Sequence, residues 1–152
     1  MKIQDFLQPQ AVVAELTGTT AAAVLAELCQ PVAQAHGLDA ARLVQVLLDR
    51  EKLGSTGVGD GVAIPHGKLA GLPALVAVFG RSSAGVDYRA ADGRPAKLFF
   101  ALFAPENSAG AHLKALSRVS RVFRAPAFRD SILAASSAEE IHRLILAADA
   151  LD

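Results

Sequence analysis

Residues 97–103, KLFFALF, are apolar at every position after the lysine, and residues 74–79, ALVAVF, are apolar throughout. Neither segment alternates between apolar and polar residues. Short, continuous apolar runs are typical of strands that are covered on both faces. The two segments therefore predict central strands of a sheet with helices packed on both sides. Residues 82–93 between them are polar and turn-rich, and predict a loop with a short strand around 86–88.

Two helices are predicted before these strands. Apolar residues recur at helical spacing over residues 20–36, and Pro31 predicts a kink or an early break there. A second helix is predicted to begin after Asp39 and to end at Gly54.

Three more helices are predicted after the strands. One begins at Ser108, a short one covers 127–134, and the last opens with a capping box at residues 137–140, SAEE. Helices first, strands in the middle and helices last predict an α/β layered domain.

The composition excludes several classes of protein. Fifteen Lys and Arg balance fifteen Asp and Glu, and the chain has no Trp and one Tyr, which argues against nucleic-acid binding. No apolar run approaches the ~20 residues of a membrane helix, and the N-terminus lacks the apolar core of a signal peptide. The single cysteine, Cys29, fits a reducing cytoplasm. We expect one cytoplasmic domain over residues 1–152.

Five of the twelve glycines lie within residues 54–67, and residues 57–68 read GVGDGVAIPHGK. The glycines do not have dinucleotide-binding spacing, and they follow a predicted helix rather than a strand. The segment is not a P-loop either. That motif has four residues between its glycines and a Ser or Thr after the lysine, whereas here five residues separate Gly61 from Gly67 and a leucine follows Lys68. Ser55 is not in a nucleophile elbow. The loop therefore indicates no nucleotide site and no serine hydrolase.

His66 remains as the candidate reactive group, since Pro65 restricts the backbone before it and Gly67 frees it afterwards. The sequence is compatible with three roles for His66: a nucleophile, a metal ligand or a structural residue at a corner of the chain. A metal site would need further ligands, and no histidine or cysteine pair has the required spacing. His112 lies in the first turn of a predicted helix, where a charged imidazole gains nothing from the helix dipole. His36 is interpreted as a helix cap and His142 as a solvated surface residue.

Two segments resemble a known family. Residues 48–69, LDREKLGSTGVGDGVAIPHGKL, and residues 111–117, AHLKALS, resemble the two histidine regions of phosphotransferase-system (PTS) enzyme IIA domains of the fructose/mannitol superfamily. Residues 98–105, LFFALFAP, resemble the family's strand before the second histidine. The chain is most similar to the nitrogen-regulatory members. The resemblance implies a single type-2 IIA domain, a central mixed sheet flanked by helices.

The resemblance also implies a mechanism. His66 would be the phosphohistidine nucleophile, phosphorylated on Nε2 by an HPr-like carrier protein of the NPr type. His112 and Arg50 would stabilise the phosphoryl group, and Ser55 would contribute a hydrogen bond. Without the resemblance, Arg50 is simply a last-turn arginine that complements a helix dipole. The scheme requires no metal, nucleotide or other cofactor.

Two roles follow from the resemblance, and a third stands apart from them. The first is a phosphorylation-dependent regulator whose targets, in this family, include potassium-transport components and sensor kinases. We favour it, because the sequence shows no membrane segment or IIB-like extension. The second is a sugar-specific IIA component that passes phosphate to a IIB domain. The third, a binding module that is never phosphorylated, predicts a departure from the family pattern at Arg50, His66 or His112, and the sequence has none.

Overall fold

The two apolar segments form the longest strands of a six-stranded mixed sheet in the computed structural model, which describes residues 1–151. The strands are β1 (Val12–Val13), β2 (Gly57–Gly59), β3 (Val62–Ala63), β4 (His66–Leu69), β5 (Val76–Val86) and β6 (Ala96–Pro105). The helices are α1 (Ala21–His36), α2 (Ala40–Glu51), α3 (Ala109–Phe123), α4 (Pro126–Ala134) and α5 (Ala138–Ala150).

The sheet is ordered β1-β5-β6-β3-β2, and β4 also pairs with β6. β5 and β6 form a long antiparallel pair, whereas β3 and β4 both run parallel to β6. β6 is therefore the central strand onto which the glycine-rich segment docks. The predicted mixed sheet flanked by helices is confirmed.

Both faces of β6 are buried, which explains its unbroken apolar sequence. Phe99, Ala101 and Phe103 belong to one core, with α1 and α2. Leu98, Phe100 and Leu102 alternate with them and belong to a second core, with α3, α4 and α5. Because successive side chains of a strand point to opposite faces, helices on both sides bury every residue from Leu98 to Ala104.

The prediction for residues 82–93 is wrong in part, because β5 continues to Val86 and no strand occupies 87–95. Just before this segment, Arg81 is buried in β5 and its side-chain donors are satisfied by backbone carbonyls. Its Nε donates to the Ala14 carbonyl at 2.9 Å and its Nη1 to that of Ala135 at 2.7 Å. A buried arginine whose donors are satisfied in this way is compatible with the interior of a sheet, where β5 lies between β1 and β6.

The early break predicted for α1 is also wrong, because Pro31 lies inside a helix that continues to His36. Val32 and Ala33 are buried after it, so packing offsets the lost backbone hydrogen bond. Gly37 follows the helix at φ 63°, the left-handed conformation that a glycine cap adopts readily. Across residues 1–151, no helix combines the length and hydropathy needed to cross a bilayer.

Candidate active site

The corner between β3 and β4 positions His66. Val62 and Ala63 pair with β6, the chain leaves the sheet at Ile64 and Pro65, and His66 rejoins it opposite Leu102. The Pro65 carbonyl accepts the Leu102 N–H at 2.9 Å, which holds the corner to the central strand. The imidazole is half-buried, so its ring is oriented by the fold but remains accessible.

The tautomer of His66 follows from one contact. Its Nδ1 lies 2.7 Å from the Ile64 carbonyl oxygen. A carbonyl can only accept a hydrogen bond, so Nδ1 carries the proton and donates it. In the neutral ring, the lone pair available for reaction is therefore on Nε2.

His112 lies beside His66. The two ring centroids are 5.4 Å apart and the ring planes make an angle of 74°, an edge-to-face arrangement. His112 is only 8% exposed, and its Nε2 is buried without a hydrogen-bond partner among residues 1–151. Its backbone N–H donates to the Ser108 carbonyl at 2.9 Å, so the first turn of α3 fixes the position of the ring.

Both imidazoles open onto a surface cavity of about 480 Å³. Two cationic residues line the same cavity, Arg50 from the last turn of α2 and Lys68 from β4. Arg50 Nη1 donates to the Gly54 carbonyl at 2.9 Å. The structure therefore brings Arg50, His66 and His112 together.

Gly67 explains how α2 approaches this closely. A Cβ atom at Gly67 would overlap Cγ1 of Val46 on α2. A glycine after His66 is therefore required by the close packing of a helix against β4, rather than by an unusual backbone angle. This packing places Arg50 at the rim of the cavity.

The electrostatics keep both rings neutral. Burial is the main factor that lowers the pKa of His66, and Arg50 lowers it further, while the Ile64 hydrogen bond and Glu51 act in the opposite direction. Burial also lowers the pKa of His112, with smaller effects from His66 and Lys68. Near neutral pH the site contains two mostly neutral imidazoles beside Arg50 and Lys68, with Asp49 also lining the cavity, and the two cationic side chains suit it to receive an anionic group.

Ser55 is not brought to this cavity. Its hydroxyl donates to the Tyr88 carbonyl at 2.5 Å and accepts the Gly57 N–H at 3.0 Å. It lines a different cavity, next to Tyr88 and Glu51. Any contact between Ser55 and a group on His66 stays a prediction.

Sequence reasoning missed Lys68 as a site residue. The signal was present, because residues two apart in a strand share a face and Lys68 follows His66 at that interval in β4. The prediction that His142 is a solvated surface residue is wrong, since it is half-buried and its Nε2 lies 3.1 Å from the Leu7 carbonyl oxygen. His36 is exposed at the end of α1, as predicted.

No group of three or more His, Cys, Asp or Glu side chains within residues 1–151 is arranged to hold a metal ion. The cavity around His66 is lined by two imidazoles, Arg50 and Lys68, with Asp49 as the one carboxylate among its lining residues. Such an arrangement can bind and transfer a phosphoryl group through a nitrogen nucleophile, with positive charges for its oxygens.

Comparisons with known proteins agree with this chemistry. The family model described as "Phosphoenolpyruvate-dependent sugar phosphotransferase system, EIIA 2" matches residues 5–148. A nitrogen regulatory protein of Bradyrhizobium diazoefficiens is 38% identical over 145 residues, covering 95% of both chains. The fructose-specific EIIABC component of Bacillus subtilis is 36% identical over 146 residues, which cover 95% of this chain and 23% of that protein.

A solved structure is similar as well. The crystal structure of nitrogen regulatory protein IIA-Ntr from Neisseria meningitidis superimposes with a TM-score of 0.88 at 36% identity, covering 94% of this chain and 98% of that one. The family match spans nearly all of the described fold and includes both histidines of the cavity. The chain therefore belongs to the EIIA type 2 family of the phosphoenolpyruvate-dependent sugar phosphotransferase system.

Proposed function

We propose that this chain accepts a phosphoryl group on Nε2 of His66 from an HPr-like carrier protein of the NPr type, and that its phosphorylation state regulates other proteins. One observation supports this most directly. The Ile64 carbonyl binds Nδ1 at 2.7 Å and so leaves the lone pair on Nε2, in a cavity shared with a second imidazole and two cations.

The transfer needs no proton to leave Nε2. Its lone pair attacks the phosphorus of the carrier's phosphohistidine, a new N–P bond forms, and the N–P bond of the carrier breaks. The electron pair of the broken bond returns to the carrier's imidazole. Positive charge develops on the His66 ring during this step, and the Ile64 carbonyl stabilises it through the Nδ1–H bond.

The remaining groups of the cavity would bind the phosphoryl oxygens. Arg50 offers a planar fork of N–H donors, and Lys68 adds a second positive charge. His112 has a buried Nε2 without a protein partner among the described residues, and a phosphoryl oxygen would satisfy such a ring nitrogen. A neutral imidazole binds the group without holding it permanently, which suits a carrier that passes it on.

The rim of the cavity favours a protein donor over a small molecule. Leu53 lines the cavity and is 83% exposed. Large apolar side chains around a reactive group are typical of surfaces that dock transient partners. A carrier's phosphohistidine could reach His66 across this rim.

Intact mass measurement after incubation with a phosphorylated HPr-type donor tests the proposal. We expect one acid-labile phosphoryl group on the wild-type chain and none on His66→Ala. His36→Ala is the matched control, because that exposed histidine lies at the end of α1 and should leave labelling unchanged. Labelling of His66→Ala at the wild-type rate would refute the site. Ser55→Ala tests in the same assay whether that hydroxyl contributes.

A second candidate function is onward transfer to a IIB domain, as a sugar-specific component. The similarity to the fructose-specific EIIABC component of Bacillus subtilis supports it. Mixing the phosphorylated chain with purified IIB domains separates the two functions. Rapid transfer to a IIB domain would favour the sugar-specific component, whereas a stable phosphorylated chain would favour the regulator.

A further inference from the structure

The loop from Lys52 to Thr56 is bound at two points by neighbouring side chains of α2. Glu51 accepts the Thr56 N–H at 3.0 Å through Oε1 and a short hydrogen bond from the Thr56 hydroxyl through Oε2. Arg50 donates from Nη1 to the Gly54 carbonyl at 2.9 Å. The same helical turn therefore fixes both the middle and the end of this loop.

Glu51 is not an ordinary surface carboxylate. It is half-buried, Thr56 is 5% exposed, and among residues 1–151 no lysine, arginine or histidine forms an ion pair with Glu51. The buried ring of Tyr88 lies close enough that the carboxylate acts with burial to raise the Tyr88 pKa. A partly desolvated carboxylate is costly unless strong hydrogen bonds offset it, and Thr56 supplies both of them.

We propose that Glu51 is a positioning residue for the phosphoryl-accepting site, acting through Thr56 and the Gly54 carbonyl on the Arg50 guanidinium. The inference rests on the proposed function of His66. Within the described part of the chain, the Gly54 carbonyl is the hydrogen-bond partner of the Arg50 side chain. Whatever holds the loop therefore also holds the guanidinium.

The geometry of arginine makes this arrangement effective. Its five N–H donors lie in one plane, so anchoring Nη1 also sets the direction of the others. Arg50 lines the cavity with His66. Because its N–H donors are already oriented, they need no reorganisation when the negatively charged phosphoryl group enters the cavity. A loop released from Glu51 would let this long side chain sample other rotamers and leave the phosphoryl position.

Glu51 also has an electrostatic effect on the nucleophile. Its negative charge raises the His66 pKa, while the positive charge of Arg50 lowers it. Neutralising Glu51 without moving the loop should therefore lower the His66 pKa. Releasing the loop would also move Arg50, whose charge acts on the same pKa in the opposite direction.

The test compares variants in two backgrounds, wild type and Arg50→Ala, in the assay with a phosphorylated HPr-type donor. In the wild-type background, Glu51→Gln and Thr56→Val should slow phosphoryl acceptance about tenfold, because a misplaced donor is costly in transfer. Thr56→Ser keeps the hydroxyl and should restore most of the rate. In the Arg50→Ala background, neither Glu51→Gln nor Thr56→Val should slow the reaction further.

Glu27→Gln is the matched control. The Glu27 carboxylate also binds backbone N–H groups of a loop, at Thr17 and Gly18, but it belongs to α1 and lies outside the cavity. Its removal should lower thermal stability while leaving the transfer rate unchanged. Equal slowing by Glu51→Gln in both backgrounds would overturn the inference, since Glu51 would then act independently of Arg50.

An NMR measurement separates this inference from the proposed function. Glu51→Gln and Thr56→Val should each shift or broaden the Nε–H signal of Arg50. An unchanged Arg50 signal would overturn the positioning role of Glu51, whether or not any donor labels the chain. If no HPr-type donor labels the wild-type chain but the variants still change the Arg50 signal, the proposed phosphoryl donor is wrong and the positioning role of Glu51 is supported.

Discussion

The His112 ring meets the His66 ring edge-on, with 5.4 Å between centroids, although one residue begins β4 and the other lies in the first turn of α3. The two elements meet because β4 pairs in parallel with β6, and the chain passes from the end of β6 directly into α3. β6 therefore places both histidines near its own C-terminal end, where the chain leads into α3.

Replacing His112 should impair transfer more than it impairs folding. His112→Ala retains the nucleophile, so we expect slow acceptance of a phosphoryl group, reduced about tenfold, and poor onward transfer. Quenched-flow sampling with mass detection measures both steps. His112→Gln keeps a side-chain N–H donor and should be less impaired. Wild-type rates in His112→Ala would contradict a role for this ring.

Phosphoryl acceptance should persist at mildly acidic pH. The pKa values of both His66 and His112 lie below the ordinary value of 6.5, so Nε2 of His66 is unprotonated in more than half of the molecules at a pH where a free imidazole is half charged. Titration of the imidazole C–H signals by NMR gives both values directly. A His66 pKa at or above 6.5 would contradict the burial effect.

The same shifts predict how stability depends on pH. A histidine with a folded pKa below its unfolded value of 6.5 favours the folded state most above pH 6.5, where both states are neutral. Stability is lost as pH falls from there towards the folded pKa, because the unfolded chain binds the proton first. Urea unfolding at pH 7.5 and 5.5 should show this loss. The double variant His66→Gln, His112→Gln should show a smaller one.

A methyl group at Gly67 should separate α2 from β4. Gly67→Ala is expected to cost about 1–3 kcal/mol of unfolding free energy through overpacking against Val46, and to slow transfer by moving Arg50. Adding Val46→Ala should recover part of both losses. Gly110→Ala is the stability control, since a Cβ there meets nothing within 4 Å. Equal stability of Gly67→Ala and wild type would contradict this prediction and would show that α2 can move away from β4 without a loss of unfolding free energy.

The two ends of the chain should be coupled through Asp149. This carboxylate is 1% exposed, accepts the Ile3 N–H at 2.7 Å and pairs with Arg118 at 2.5 Å. Asp149→Asn should cost about 2–3 kcal/mol, because a buried pair loses one charge and Arg118 loses its partner. Thermal unfolding measures the loss. The exposed Asp130 is the control, and Asp130→Asn should leave the midpoint unchanged.

Several features could be predicted from local sequence. The unbroken apolar segments predicted strands covered on both faces, and β5 and β6 are such strands. Helical spacing predicted the existence of α1 to α5, because periodic burial is encoded in adjacent residues. The polar end of β5 escaped prediction, since its buried Arg81 is satisfied by carbonyls from distant segments.

The sequence by itself determined the layered fold and singled out His66, which follows a proline that restricts the backbone and precedes a glycine that frees it. Only the tertiary structure decided which groups surround that imidazole. Arg50, Lys68 and His112 come from three different elements, and Ser55, close to Arg50 in the chain, points to another cavity. The periodicity of apolar residues indicates whether a residue is buried. Contacts between residues that are distant in the sequence depend instead on how closely whole helices and strands pack. At this site, the contact between Val46 and Gly67, which has no side chain, sets how closely α2 approaches β4.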